Sequence, residues 1–298
     1  MTKNETMPQS KSILNTMTTL FPDYLKISRD MLAKETTAKL SIVKDMPDVA
    51  QQMASTMLQV IEAAKQKGQP ATLIVPVGPV DQYPILAEML NQRKYSISDV
   101  MLINMDEYLT DDDQWVDISH PLSFRGYMNR KFYDLLNPEL APLPENRVCP
   151  DPNNVSAIQQ LIDQRGGVDA CFGGIGINGH IAFNEPPEAE ENISAEAFAQ
   201  LPTRNLDLTR ETRTINSVTV GGEISIIPWR AVTIGMKEIL GAREQHFYCN
   251  RIWQSSVIRR VLHGPVTSAC PASLLRTHPD FNLTIAEYVA ELPDIRLR

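Results

Sequence analysis

No stretch of this chain approaches the roughly 20 consecutive apolar residues that a membrane-spanning helix needs. The segment from Met1 to Leu20 is rich in Thr, Ser and Asn and lacks the apolar centre of a secretory signal. No run of Lys or Arg exceeds two, and the formal net charge is −8. Nucleic acid and anionic lipid both require a basic face, so neither is expected as a partner. A small anionic substrate is not excluded, because a pocket's local field can differ from the overall sign. Cysteine is scarce as well: Cys149, Cys171, Cys249 and Cys270 are widely spaced and form no C-x-x-C pair. A disulfide framework and a cysteine zinc site are therefore not expected. The thiols read as reduced and buried, in a cytoplasmic protein. There is no internal repeat and no low-complexity linker.

What the 298 residues do contain is an alternation of short apolar runs with helical periodicity. Residues 1–38 read as a leader and 39–298 as a single α/β domain. A strand is expected at 40–43. A helix follows, with Pro47 in its first turn and Val49, Met53, Met57, Val60, Ile61 and Ala64 on one face, stopping at Gly68. Further strands are expected at 73–75, 100–103, 168–172, 231–236, 244–249 and 282–286. Helices are expected at 83–92, 123–136, 155–165 (capped by Asn154), 252–263 and 271–276. The Pro/Glu-rich stretch 186–200 reads as an exposed insertion. Short continuous apolar strands separated by helices imply a doubly wound parallel sheet covered on both faces. In such folds ligands bind beyond the C-terminal ends of the strands. Three unusual segments occupy such ends: 76–82, 104–108 and 173–187.

The richest is Gly173-Gly174-Ile175-Gly176-Ile177-Asn178-Gly179-His180-Ile181-Ala182-Phe183-Asn184-Glu185-Pro186. Its four glycines let backbone pass close to a ligand and expose N–H groups. His180 follows at once, and Glu185 is close enough in sequence to orient an imidazole that moves protons near neutral pH. The glycine spacing is not that of a dinucleotide-binding loop. The second segment, Asn104-Met105-Asp106-Glu107-Tyr108, places two carboxylates at a strand end. Such a pair is more often solvated than catalytic, but strand-end loops also hold sites. The run Asp111-Asp112-Asp113 lacks a calcium-loop pattern and reads as solvent-facing.

Met-Asp-Glu-Tyr at 105–108, Ser-His-Pro at 119–121 and the 173–186 motif together resemble the glucosamine-6-phosphate deaminase family. Asn216-Ser217, the strand Ala231–Gly235 and the turn Gly264-Pro265-Val266 fit it in the same order. The resemblance covers roughly residues 40–280, and the family shares its fold with 6-phosphogluconolactonases. It implies a modified doubly wound fold, no metal and no cofactor, and conversion of an aminosugar phosphate to fructose 6-phosphate and ammonia. By the resemblance, Asp106 would move the proton from C2 to C1 of the open-chain sugar. His180 would assist ring opening, with Glu185 setting its charge and Asn178 as its loop partner. Gly78, Glu107 and the backbone of Gly174, Ile175 and Gly176 would line the sugar. Family members often form homo-oligomers.

The sequence departs from the family's pattern at function-bearing positions. Asn178 stands where the family has Asp, and it carries no charge to stabilise an imidazolium. Val77-Gly78-Pro79-Val80-Asp81 replaces a Thr-Gly-Gly-Thr-Pro phosphate loop. Val218 replaces the Arg after Asn-Ser, and Gln254 falls near the family's Lys. Arg125 and Arg251 are the cations that would have to compensate. Aminosugar isomerisation with release of the amine, and altered specificity at the phosphate position, is the reading that keeps the chemistry and moves the specificity. An authentic deaminase, a non-catalytic sugar-binding or regulatory homologue, and a lactonase remain alternatives.

Overall fold

The computed structural model describes residues 21–78 and 81–294. In chain order the elements are β1 (Lys39–Val43), α1 (Met46–Gln66), β2 (Thr72–Val75), α2 (Gln82–Arg93), β3 (Met101–Asn104), β4 (Asp106–Leu109) and α3 (Phe124–Lys131). They continue with β5 (Arg147–Val148), α4 (Ala157–Gln164), β6 (Ala170–Gly173), α5 (Ala195–Ala199), β7 (Arg204–Asp207) and α6 (Arg210–Ser217). The chain closes with β8 (Arg230–Thr233), α7 (Met236–Leu240), β9 (Glu244–Cys249), α8 (Gln254–His263), β10 (Phe281–Ala286) and α9 (Glu287–Ala290). Among the described residues no helix is long and apolar enough to cross a membrane.

Seven strands form one parallel sheet in the order β1-β10-β9-β6-β2-β3-β5. Every residue of β2, β3 and β6 is buried, which is why these runs are continuously apolar rather than alternating. α1 starts where Asp45 caps it by accepting from the Asp48 N–H at 3.2 Å. Val49, Met53, Met57 and Ile61 bury its apolar face. It ends at Gly68, whose φ of +74° suits glycine. The chain builds outward from β2 through β3 to β5, then returns to β2's other side and builds outward through β6, β9 and β10. The direction reverses between β2 and β6, so the crevice at their C-terminal ends is the switch point where such sheets bind ligands.

Several expected boundaries move. The strand expected at 231–236 ends at Thr233 and lies outside the parallel sheet. As β8 it is the centre of a three-stranded antiparallel sheet, β4-β8-β7, and Met236 already opens α7. The Ile234 N–H donates to Met105 O at 2.7 Å, which ties the end of β8 to the junction of β3 and β4. The helix expected over 123–136 is α3 plus a separate 3₁₀ turn at Tyr133–Leu135, the break falling at Phe132 (φ −136°). Asn154 does not cap α4: Ser156 occupies that position, and Asn154 Oδ1 accepts from the Ser156 hydroxyl at 3.2 Å. The segment expected as a helix at 271–276 is a 3₁₀ helix, Pro271–Thr277. The 186–200 stretch is not wholly exposed, because Phe198 of α5 joins the main core.

Among the described residues ahead of β1, contacts join this segment to the sheet domain. Leu32 is fully buried, and its carbonyl lies 3.0 Å from His263 Nε2. Arg259, fully buried in α8, donates to the carbonyls of Ile27, Ser255 and Ala290. One guanidinium thereby joins the segment ahead of β1 to α9.

Candidate active site

Three segments leave the parallel sheet beside the switch point: 76–78 after β2, Met105–Asp106 after β3, and 174–187 after β6. Hydrogen bonds lock the last two together. In register, Asp106 faces Thr233 across β4 and β8. Thr233 Oγ1 accepts from the Phe183 N–H at 3.1 Å. Asn184 Nδ2 donates to Ile234 O at 2.8 Å and to Ile181 O at 3.1 Å. The end of β8 is thus the clasp between Asp106 and the His180 loop.

Asp106 is 8% exposed, and no hydrogen bond among the described residues reaches its carboxylate. Burial first, and then the neighbouring Glu107, push it up to about 8. A carboxylate with few donors and high proton affinity suits a general base working near neutrality. Tyr83, at the start of α2, lies close enough to feel this charge and donates its hydroxyl to Pro76 O.

Glu107 points elsewhere. It is fully buried and serves the N-terminus of α3, accepting from the Phe124 and Arg125 N–H groups and the Ser123 hydroxyl, each at 2.9 Å. Arg125 Nε adds an ion pair at 3.2 Å. With its oxygens occupied by α3, Glu107 supports the site from behind. The sequence could not separate these roles, since adjacent strand residues face opposite ways and both are carboxylates.

His180 is half-buried, with its ring against the backbone of Gly176. A Cβ at Gly176 would lie 2.0–2.4 Å from three ring atoms, so only glycine fits. Gly179 adopts φ +89° and turns the loop back, with its carbonyl accepting from the Ala272 N–H at 2.8 Å. Asn178 Oδ1 accepts from the His180 backbone N–H at 3.1 Å, which fixes it as the oxygen of the amide. The same oxygen is 2.7 Å from His180 Nδ1. Nδ1 therefore carries the hydrogen, leaving the Nε2 lone pair to accept a proton. Burial pushes the imidazole down to about 4, so it is neutral at physiological pH.

Glu185 does not bond the imidazole. It is 9% exposed, and its two oxygens accept from the Thr209 N–H at 2.7 Å and the Thr209 hydroxyl at 2.9 Å. Thr209 and Thr212, neither singled out by sequence, belong to this environment. Their signal was a Thr ahead of a helical stretch, which reads equally well as an ordinary cap. Ile175 is buried and its carbonyl accepts from Gln254 Nε2 at 2.8 Å. Gly174 follows β6 directly. Gly78 lies exposed after β2, with open space around it; Pro79 and Val80 lie outside the described residues.

The positions that differ from the family's phosphate site carry no cation to the crevice. Val218 is exposed. Gln254 is committed to Ile175 and to the Arg251 N–H. Arg125 is held by Glu107 and by Val116 O at 2.6 Å. The Arg251 guanidinium contacts Met46 Sδ at the start of α1. Arg204 donates to Asn184 Oδ1 and Pro202 O. Arg213 donates to Ile224 O and Ile227 O and stacks on Trp229. Among the described residues no cluster of His, Cys, Asp and Glu side chains could hold a metal ion. A shallow depression of about 340 Å³, lined by His120, Asp117 and Trp229 among others, opens near Leu109, at the other end of β4 from Asp106.

No family model matches the chain. Individual proteins do. The glucosamine-6-phosphate deaminase of Staphylococcus saprophyticus is 31% identical over 214 residues, covering 71% of this chain and 82% of that enzyme. The deaminase of Rhodopirellula baltica is 32% identical over 222 residues, covering 73% and 82%. The structure of a monomeric glucosamine-6-phosphate deaminase superposes with a TM-score of 0.72 at 25% identity, over 86% of this chain and all of that one. The 6-phosphogluconolactonase of Trypanosoma brucei, at 15% identity and a TM-score of 0.62, shares the fold. With a relative at 31% identity matched across 82% of its length, and with the sheet order and loops described above, this chain belongs to the glucosamine-6-phosphate deaminase family.

Proposed function

We propose that this protein is an aminosugar isomerase–deaminase whose substrate carries no 6-phosphate, or carries a different group there. One observation bears most of the weight. Asp106 and His180 stand beside the switch point, while Arg125, Arg204 and Arg213 are committed to other protein groups and Val218 and Gln254 bring no charge. A phosphate dianion is held by charge-assisted hydrogen bonds, and committing these three arginines elsewhere disfavours it.

The chemistry follows from the two retained groups. In its neutral form His180 takes the anomeric hydroxyl proton at Nε2 and passes a proton to the ring oxygen, opening the sugar. Asp106, once ionised, removes the hydrogen at C2, and the electron pair enters the C1–C2 bond. Return of that proton to C1, with a proton passing from the amine nitrogen to the C1 oxygen, leaves an imine at C2. Water converts the imine to the ketone and releases ammonia. A single carboxylate serves both carbons because they are adjacent. Gly176 and Asn178 hold the ring's position and tautomer. A cytoplasmic setting belongs to the same proposal, and the four cysteines are free.

The test is to follow ammonia and ketose together, on aminosugars with and without a 6-phosphate, for the wild type and Asp106→Asn. Both products from an unphosphorylated or otherwise modified sugar, lost in Asp106→Asn, are the expected result. A specific observation favours a second reading, a sugar-binding homologue without turnover: Asn178 leaves the imidazole without a charged partner. Thermal stabilisation by a sugar with no product from any, equal in wild type and Asp106→Asn, would establish that reading instead.

A further inference from the structure

The groups around His180 reach the imidazole by different routes. Asn178 Oδ1 bonds Nδ1 directly. The Glu185 carboxylate is spent on Thr209. Thr209 caps α6, its hydroxyl accepting from the Thr212 N–H at 3.3 Å. Thr212 is fully buried, and its hydroxyl lies 3.3 Å from His180 Nδ1, its one hydrogen-bond partner among the described residues. A continuous path therefore runs from Glu185 through Thr209 and the first turn of α6 to Thr212 and the ring.

We propose that Thr212 is a positioning residue for His180, and that Glu185 acts on the imidazole through the N-terminal turn of α6 rather than by touching it. This rests on the catalytic reading of His180 given above. The physical case has three parts. Because Asn178 requires a hydrogen on Nδ1, that hydrogen sits between two oxygens, Asn178 Oδ1 at 2.7 Å and Thr212 Oγ1 at 3.3 Å. Two acceptors fix the ring plane and the tautomer better than one, and both strengthen as Nε2 gains a proton. In addition, the N-terminal end of a helix disfavours a nearby imidazolium, and a carboxylate bound at that end offsets the effect. Finally, the polar atoms that meet the ring come from its own loop (Asn178) and from α6 (Thr212), with Gly176 against its face. No charged side chain among the described residues bonds it, so Glu185 is the charge linked to it by hydrogen bonds.

The experiment is ¹⁵N NMR of His180 in the full chain, reading tautomer at neutral pH and titration midpoint on acidification. It uses wild type, Thr212→Val, Thr212→Ser, Glu185→Gln and the double variant Thr212→Val/Glu185→Gln. No substrate is needed, so the outcome stands whether or not any sugar turns over. Thr212→Val is expected to lower the midpoint and erode the Nδ1–H tautomer, while Thr212→Ser, which keeps the hydroxyl, stays close to wild type. Glu185→Gln is expected to lower the midpoint in the wild-type background and to add little to Thr212→Val. Where a substrate is found, Thr212→Val should reduce kcat about tenfold with KM little changed. The proposal is overturned if Thr212→Val leaves tautomer and midpoint unchanged. It is equally overturned if Glu185→Gln shifts the midpoint by the same amount with and without Thr212. Should Thr212→Val fail to fold, the comparison of Thr212→Ser with Thr212→Ala carries the same two outcomes.

Discussion

Asp106 holds its proton up to about pH 8 in the folded protein, whereas an unfolded aspartate loses it near pH 4. Two consequences follow at this one residue. As the proposed base, Asp106 acts only when ionised, so kcat/KM should rise with pH through about 8 and level off above it. A profile flat between pH 6 and 9 would contradict the assignment. Stability runs the other way. Between about pH 4 and pH 8 the unfolded chain has released this proton and the folded one has not, so stability falls as pH rises. Asp106→Asn removes that cost. It should abolish turnover yet stabilise the fold at pH 8 by a few kcal/mol, on the order expected for a shift of this size. Urea denaturation of both proteins at pH 5 and pH 8 checks the sign, with the gain larger at pH 8. At Gly176, an added methyl meets the imidazole ring. Gly176→Ala should retain the fold and lose about 10²-fold in kcat, as expected for a displaced catalytic group. The shift should be visible in the His180 ring resonances.

Elements decide where these side chains stand. β3 belongs to the parallel sheet and β4 to the antiparallel one, and the chain passes between them through Met105. That change of sheet leaves the Asp106 carboxylate without a hydrogen bond among the described residues, while Glu107 turns to the amide groups of α3. Glu107→Ala would leave these donors and Arg125 without their acceptor. It should destabilise the protein by about 3–5 kcal/mol, as when a buried pair loses one partner. Denaturant titration measures it. A loss below 1 kcal/mol would mean that Glu107 is not the anchor of α3. The parallel strands were legible in sequence because β2, β3 and β6 are buried on both faces and read as apolar runs. The second sheet was not. Asp106-Glu107-Tyr108-Leu109 and Arg204-Asn205-Leu206-Asp207 are too polar to stand out as strands, and only their pairing with β8 makes them so. The glycine loop stood out as a candidate site from composition alone. That Glu185 would bind the cap of α6 could not be read, because the 24 residues separating it from Thr209 are closed only by tertiary structure.

At the scale of the whole molecule, the family's fold is kept, and the proposal assigns its chemistry to Asp106 and His180 while Val218 and Gln254 bring no charge. Beside the switch point, the end of β8 pairs with β4 at Asp106 and is hydrogen-bonded to Phe183 and Asn184 of the loop that carries His180. Arg125, Arg204 and Arg213 are bound to Glu107, to amide carbonyls or to Trp229, and pulling one free would leave an acceptor or ring face unpaired. The proposed change of specificity rests on this redistribution of charge within the family's fold. The most direct measurement is kcat/KM on a matched pair of aminosugars that differ only in the 6-phosphate, scored by ammonia and ketose produced together. This account requires the unphosphorylated member to be the better substrate. A clear preference for the 6-phosphate would contradict it, and would mean that the crevice holds a dianion without the cations its family uses.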